Sequence, residues 1–421
     1  MPEEIEGERV RSIVALVRCD TYEPSEVKKA VAKAIDALGG FEAVFAAREV
    51  ADTKLPALTR ESPLILKPNL LAKAPPEKAV TTHPAVFRAA AELLQEAGYN
   101  NLKYGDSPGN PIYNTEKTAE TCGIKAVADQ LRIPVGNFEH GQEVACPDGR
   151  VTKKFVLCKE VADNPYGVID LCKMKTHQLE RITGAVKNTF GCIYGVNKAA
   201  SHAKHMTAET FAKMLADLNR IVIPRLHIMD GIMAMEGNGP GSGDPIPMNV
   251  ILASTDPVAL DTTFCHLIDL NTDLVPTQTA AVEAGLGVSD DDSIKVIAID
   301  VPMIPDGTEL TFEEVARKCG NSKFNVQRGA SFHPQINALR PFERWLEKKP
   351  SIIWDRCIGC GVCIDTCPLE DKALRFGDDG APKYDYSKCI KCYCCQEMCP
   401  EKAIHVRRSF LARLADRNWK W

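Results

Sequence analysis

At 421 residues the chain is too long for one ordinary domain and suggests two or three. Hydrophobic residues make up 45% and charged residues 25%, a globular balance, and a net charge of −5 gives no basic surface for nucleic acid. No run approaches the ~20 apolar residues of a membrane span. The acidic opening MPEEIEGERV lacks the apolar core of a secretory signal, so the reading is a cytoplasmic protein.

Residues 1–335 read as an α/β body. SIVALVR (12–18), LILKPNLL (64–71), YGVIDLC (166–172), RLHIMDG (225–231) and SIKVIAID (293–300) have the apolar density of buried strands. Between them, SEVKKAVAKAIDALGG (25–40) and PAVFRAAAELLQEAG (84–98) space apolar residues by three and four and end in glycine, as amphipathic helices do. Strands alternating with helices predict a mainly parallel sheet, whose functional loops sit at the carboxyl ends of its strands.

The chemistry-bearing residues collect at such ends. KPNLL closes a strand with Lys67 and Asn69, THP puts His83 just before a helix, and GDSPGN presents Asp106 and Ser107 on a turn. The densest run is 173–205, which supplies Lys173, Lys175, His177, Arg181, Lys187, Asn188, Lys198, His202, Lys204 and His205 with Glu180 as its lone carboxylate. That imbalance predicts an anion site, with Thr183-Gly184 opening a helix whose N–H groups could join in. DGIMAMEGNGPGSGDP (230–245) reads as a lid because of its length and glycine content, and Asp256 as a helix N-cap. The nucleotide-binding glycine motifs do not match.

A linker over 336–350 leads to a cysteine-rich module over 351–406, followed by a basic, amphipathic tail over 407–421 that reads as a packed helix. The module repeats C-x2-C-x2-C-x3-C-P twice, 32 residues apart, in the ligand spacing of paired [4Fe–4S] clusters. In that arrangement the fourth cysteine of each run crosses to the other cluster. Cys357, Cys360, Cys363 and Cys399 would hold one cluster, and Cys389, Cys392, Cys395 and Cys367 the other. Structural zinc also uses C-x2-C pairs, but eight cysteines in duplicated order favour iron and sulfide. Cys394 is a ninth thiol that no cluster requires. The other eight cysteines are scattered through the body, which fits a reducing compartment better than a disulfide framework.

The module resembles bacterial two-cluster ferredoxins over about 55 residues. The runs KPNLL, THP, GDSPG, KTHQLERITGAVKNTFG, DGIMAMEGNGP and STDPVALD together resemble the DUF362 family, over about residues 10–300. That family is often fused to a two-cluster ferredoxin module, but the resemblance implies no reaction. The body also resembles lactate racemase, whose cofactor is a nickel-pincer nucleotide. His177 and Lys187 have that family's ten-residue spacing, His202 stands where its nickel histidine is expected, and His83 matches its earlier catalytic histidine. The glycine pair before the lysine is replaced here by Gly184-Ala185-Val186.

The expected function is therefore an iron–sulfur oxidoreductase. Its two [4Fe–4S] clusters would take electrons from a donor such as ferredoxin or flavodoxin. They would pass them to an anionic small molecule, or to a second cofactor, in the body. Lys67, Asn69, Lys175, Arg181, Asn188 and His202 are the expected substrate-binding residues. His177 is the expected general acid, with Lys187 and His83 as further catalytic groups. An electron-transfer subunit docked to a partner oxidoreductase, and an isomerase of the lactate-racemase kind, are the alternatives.

Overall fold

The computed structural model describes residues 11–109, 114–195, 197–329 and 348–407. Within them the body is built on a nine-stranded sheet. Its strands are β1 (Ser12–Arg18), β2 (Leu64–Pro68), β3 (Leu102–Tyr104), β4 (Val168–His177), β5 (Arg181–Ile182), β6 (Leu226–Glu236), β7 (Asp244–Ser254), β8 (Ile294–Ile299) and β9 (Thr308–Leu310). The order across the sheet is β9-β8-β1-β7-β6-β4-β2-β3, with β5 folded back on the end of β4. The β8–β1, β6–β4, β4–β2 and β2–β3 pairs are parallel. β7 runs antiparallel between β1 and β6, and β9 antiparallel to β8. The fold is thus α/β with a mainly parallel sheet.

Side chains alternate across each strand, so one strand feeds two cores. Ala15, Val17, Ile169 and Leu171 pack beneath helices α1 (Pro24–Ala37) and α2 (Pro84–Glu96), which bury Val27, Val31 and Ala34, and Val86, Phe87 and Leu94. Val14, Leu16, Cys172 and Met174 face the opposite side, toward Ala259, Leu260 and Phe264. Each fully buried Leu or Phe contributes about 1.5–3 kcal/mol. Because both faces are covered, the strands read as continuous apolar runs.

β7 went unnamed in the sequence because its first residues, Asp244–Pro247, set two prolines and an aspartate around a single Ile246. The stretch expected as a lid is instead the joint between β6 and β7, with only a short turn over 237–243. Extended pairing from Met233↔Pro247 to Glu236↔Asp244 leaves no free loop to close.

The cysteine-rich module follows. Lys349–Ile352 pairs with Ile404–Arg407, joining its two ends, and Leu374–Phe376 pairs with Pro382–Tyr384. The expected linker overlaps the first of these strands. Its remaining residues up to 347 and the tail beyond Arg407 lie outside the described residues. Among the described residues no helix is long and apolar enough to cross a membrane.

Candidate functional site

The carboxyl ends of β2 and β4 carry the polar constellation. Lys67 on β2 is fully buried and forms an ion pair with Asp106, Nζ to Oδ1 3.0 Å, while the other Asp106 oxygen accepts from the Leu70 N–H at 2.7 Å. Lys175 on β4 donates to Asn69 Oδ1 at 3.0 Å and to the Val80 carbonyl at 2.6 Å. Burial pushes its ammonium well below the ordinary lysine range, and Lys187 and Lys173 add to the effect.

From Asn69 a buried chain continues. Its amide donates to Asn188 Oδ1 at 2.8 Å, Asn188 donates to Asp170 Oδ1 at 2.7 Å, and Asp170 Oδ2 lies 2.9 Å from His227 Nδ1. Each link is a fixed, desolvated hydrogen bond, so the Asn69–Asn188 edge is rigid.

Helices α3 (Ala185–Asn188), α4 (Asn197–Lys204), α5 (Ala208–Ile221) and α6 (Pro257–Leu267) complete the wall. The N–H groups at the start of α3, expected to help bind an anion, are already occupied. Asp261 on α6 accepts from Ala185 at 2.7 Å and from Val186 at 3.2 Å. Burial raises the Asp261 carboxyl to about 7 against those two bonds. A Cβ at Gly184 would lie 1.8 Å from Asp261, so this approach needs glycine. Asp256 caps α6, accepting from Val258 at 2.8 Å and Ala259 at 2.9 Å.

The missing anion comes from the cysteine-rich module. Glu397, at the end of helix α7 (Cys394–Glu397), places Oε1 2.9 Å from His177 Nε2. His177 Nδ1 accepts from the Leu179 and Glu180 N–H groups at 3.1 and 3.0 Å, so its proton belongs on Nε2, facing Glu397. Burial, with Lys187 nearby, pushes His177 down to about 4. Burial opposes ionisation of Glu397, yet His177, Lys187 and His202 hold it down to about 2. At neutral pH the contact is a carboxylate on a neutral imidazole. The same module is tied to the β6–β7 turn: Gln396 donates to the Asn238 carbonyl at 2.8 Å, and Asn238 to the Ile404 carbonyl at 3.1 Å.

Between body and module lies a cavity of about 320 Å³, within the usual range for a small-molecule site. Asn69, Lys187, Asn188, Phe190, Lys198 and His202 line it from the body; Cys367, Cys394, Glu397 and Met398 line it from the module. The Lys198 ammonium is held by the carbonyls of Ser107 and Pro108. Lys187 has no carboxylate partner among the described residues, and its Nζ stands 5.6 Å from the centre of the Phe190 ring. His202 is stacked on Phe211 at 4.3 Å, with Nδ1 buried and unpartnered, and burial pushes it down to about 3.

The expected residues are thus sorted by geometry. Lys187, Asn69, Asn188 and His202 share the cavity. Lys67 and Lys175 lie behind it, engaged with Asp106 and with Asn69. Arg181 does not reach it; its guanidinium donates to the Gln327 and Gly329 carbonyls at 2.8 and 3.0 Å. His177, expected as an acid on substrate, is taken up by Glu397 and is absent from the lining. His83 lies in a separate cluster, stacked 3.5 Å from Tyr22, whose hydroxyl donates to Asp230 at 2.7 Å. Glu397 escaped the sequence reading because it looks like a spacer between Cys395 and Cys399. A lone carboxylate inside a packed cysteine run was its only signal.

The eight motif cysteines fall into two groups of four. Cys357, Cys360, Cys363 and Cys399 line one small cavity; Cys367, Cys389, Cys392 and Cys395 line another. The ninth thiol, Cys394, faces the large cavity instead.

Residues 64–266 match the domain of unknown function DUF362, and residues 349–400 match the 4Fe-4S dicluster domain. The thylakoid-associated protein sll1697 of Synechocystis sp. is 34% identical over 274 residues, covering 65% of this chain and 79% of that protein. The match spans enough of both chains to decide kinship: this protein belongs to the DUF362 family and carries a C-terminal 4Fe-4S ferredoxin-type domain.

Proposed function

We propose that the protein is an iron–sulfur oxidoreductase that reduces an anionic small molecule, or a second cofactor, bound between body and module. The observation that carries this reading is one shared wall. Cys367 and Glu397 of the module line the same cavity as Lys187, Asn188 and His202 of the body.

Four thiols around each of two small cavities suit two cubane clusters, with Cys357, Cys360, Cys363 and Cys399 as one ligand set and Cys367, Cys389, Cys392 and Cys395 as the other. When bound, such clusters supply electrons singly and at low potential. Lys187 supplies the positive charge for the anion and for charge that develops on reduction. Asn188, fixed through Asp170 and Asn69, orients the ligand. His202, neutral at physiological pH, offers a ring N–H or a lone pair to it. Phe190, Leu71 and Met398 give the rest of the ligand an apolar bed. The Leu179 and Glu180 N–H groups keep His177 in one tautomer, and Glu397, set against its other nitrogen, helps hold the module to the body.

The isomerase alternative has the nearness of His177, Lys187 and His202 in its favour. Glu397 stands among those three, where a metal cofactor would need them free. Of the eight cysteines scattered through the body, seven are buried and none is joined to another in a disulfide, which supports a reducing, cytoplasmic location. The relative's thylakoid association would then correspond to peripheral contact.

The test is anaerobic. Protein reconstituted with iron and sulfide is reduced, then mixed with a panel of small carboxylates and phosphates while cluster absorbance is followed. Reoxidation by one class, lost in Lys187→Ala, supports the reading. A protein that no small molecule reoxidises, and that is recovered in a fixed complex, is the electron-transfer subunit instead. Turnover of a small acid with no donor would establish the isomerase.

A further inference from the structure

The two cysteine groups accept different hydrogen bonds. The Tyr384 hydroxyl lies 3.2 Å from Cys395 Sγ, and the tyrosine lines the small cavity of Cys367, Cys389, Cys392 and Cys395. Its ring packs against Cys363, Leu374, Cys395 and Ile404, and Cys395 is the hydroxyl's sole hydrogen-bond partner among the described residues. Between two neutral groups either could donate. A cysteine that binds iron is a thiolate and can only accept, so the donor is then the phenol. A hydroxyl set among apolar groups and aimed at one ligand sulfur fits an occupied site.

The other group has no such donor. Cys399 accepts from the Ala403 N–H at 3.2 Å, and no side chain among the described residues donates to Cys357, Cys360, Cys363 or Cys399. Tyr386 stacks on Tyr384, the rings 5.3 Å apart, yet its hydroxyl goes to the Pro350 carbonyl at 2.8 Å. Meanwhile two features of the first group work against an added electron. Cys367 and Cys395 are buried, and Glu397, whose carboxyl is held ionised, lines the large cavity with Cys367. Burial and nearby negative charge lower a reduction potential, and a hydrogen bond to sulfur raises it.

We propose that Tyr384 is a positioning residue for electron delivery: acting through Cys395, its hydroxyl raises the reduction potential of the cavity-facing site and leaves that of the other unchanged. This rests on the two-cluster part of the oxidoreductase reading. One electron enters the Cys367/Cys389/Cys392/Cys395 site, whose charge becomes more negative by one. The hydroxyl dipole, already aimed at Cys395, stabilises that charge. No bond breaks, and Tyr384 keeps its proton. The effect favours the electron at the site that shares a wall with Lys187 and His202.

The test is a redox titration of the full-length reconstituted protein, followed by electron paramagnetic resonance. Tyr384→Phe keeps the ring and its packing and removes only the hydroxyl. It should make one site harder to reduce by about threefold to tenfold, ~30–60 mV at ~59 mV per tenfold, and leave the other unmoved. 3-Fluorotyrosine at position 384, a stronger donor, should shift the same site the opposite way. Tyr386→Phe, which removes the stacked neighbour's hydroxyl, should move neither. Cys360→Ser, which changes the signal of the other site, tells which one moved. The proposal is overturned if Tyr384→Phe shifts neither site, shifts both alike, or moves only the site that Cys360 serves. It is also overturned if Tyr386→Phe has the same effect. If the shift is found while no small molecule reoxidises the protein, the role of Tyr384 stands and the cavity reading falls. If no shift is found while reoxidation persists, the cavity reading stands and the role of Tyr384 falls.

Discussion

His177 Nε2 and Glu397 Oε1, 220 positions apart in the chain, meet at 2.9 Å across the boundary between the α/β body and the cysteine-rich module. Both are shielded from water, so a carboxylate faces an imidazole at ion-pair distance in a low-dielectric seam, outside hydrogen-bond geometry. Glu397→Ala removes the carboxylate that His177, Lys187 and His202 hold ionised and should cost about 2 kcal/mol. Because the contact joins two parts of the molecule, the effect should be local. Hydrogen exchange should rise at 178–182 and around Asn238 while the β1 and β8 amides keep their protection. Unchanged exchange at the seam would show that Gln396 and Asn238 hold the module alone.

Lys187 predicts a separation of binding from stability. It is half-buried and has no carboxylate partner among the described residues, so its removal should leave unfolding within about 1 kcal/mol of the parent. Loss of a charged hydrogen bond to a bound anion should weaken that anion by about tenfold to a hundredfold. Titration of ligand into Lys187→Ala and the parent, beside a urea unfolding curve for each, checks both halves.

Gly191 tests the packing behind the cavity. A Cβ there would lie 1.7 Å from Asp106 Oδ1, the oxygen that pairs with Lys67. Asp106 cannot swing aside without breaking that buried pair and its bond from Leu70. Gly191→Ala should therefore destabilise by about 2–4 kcal/mol, combining overpacking with a disturbed ion pair. A melting temperature within a degree or two of the parent would mean that this region yields more easily than its hydrogen bonds suggest.

His83 gives a pH dependence of definite sign. Burial pushes it down to about 4 from the ordinary 6.5. Above pH 6.5 it is neutral in both folded and unfolded chains and has no effect on the slope. Between about 6.5 and 4 the unfolded chain takes up a proton that the folded one refuses, so stability falls as pH falls. From pH 7 to 5 this amounts to at most about 2 kcal/mol, at ~1.4 kcal/mol per pKa unit. His177 and His202 have the same sign. Asp261, raised to about 7, has the opposite one, gaining stability as pH falls through 7 toward 3.8. His83→Gln should flatten the acid limb of a urea-stability profile, and Asp261→Asn should steepen it.

How much was legible follows from the range of each signal. β1 was read to the residue because its apolar run is bounded by polar neighbours on both sides. β4 was cut short at Cys172 because Lys173, Lys175 and His177 looked like loop residues. They lie in a buried strand because Asp230, Asn69 and Glu397 receive them there. Arg181 was misassigned for a related reason. A guanidinium looks like an anion ligand in sequence, and only the fold brings the Gln327 and Gly329 carbonyls to it.

The sequence by itself determined what depends on near neighbours. The period-two and period-3.6 apolar patterns yield strands and helices. The repeated cysteine spacing yields an iron–sulfur module, since three thiols within seven residues need only one tight loop to converge. The tertiary structure alone decided which polar groups meet. Glu397 meets His177 beside Lys187 and His202, Cys367 of one cysteine group lines the cavity, and Cys360 of the other is exposed to solvent. Those pairings depend on how the module docks against the sheet's carboxyl edge, a sum of long-range contacts that no local spacing encodes.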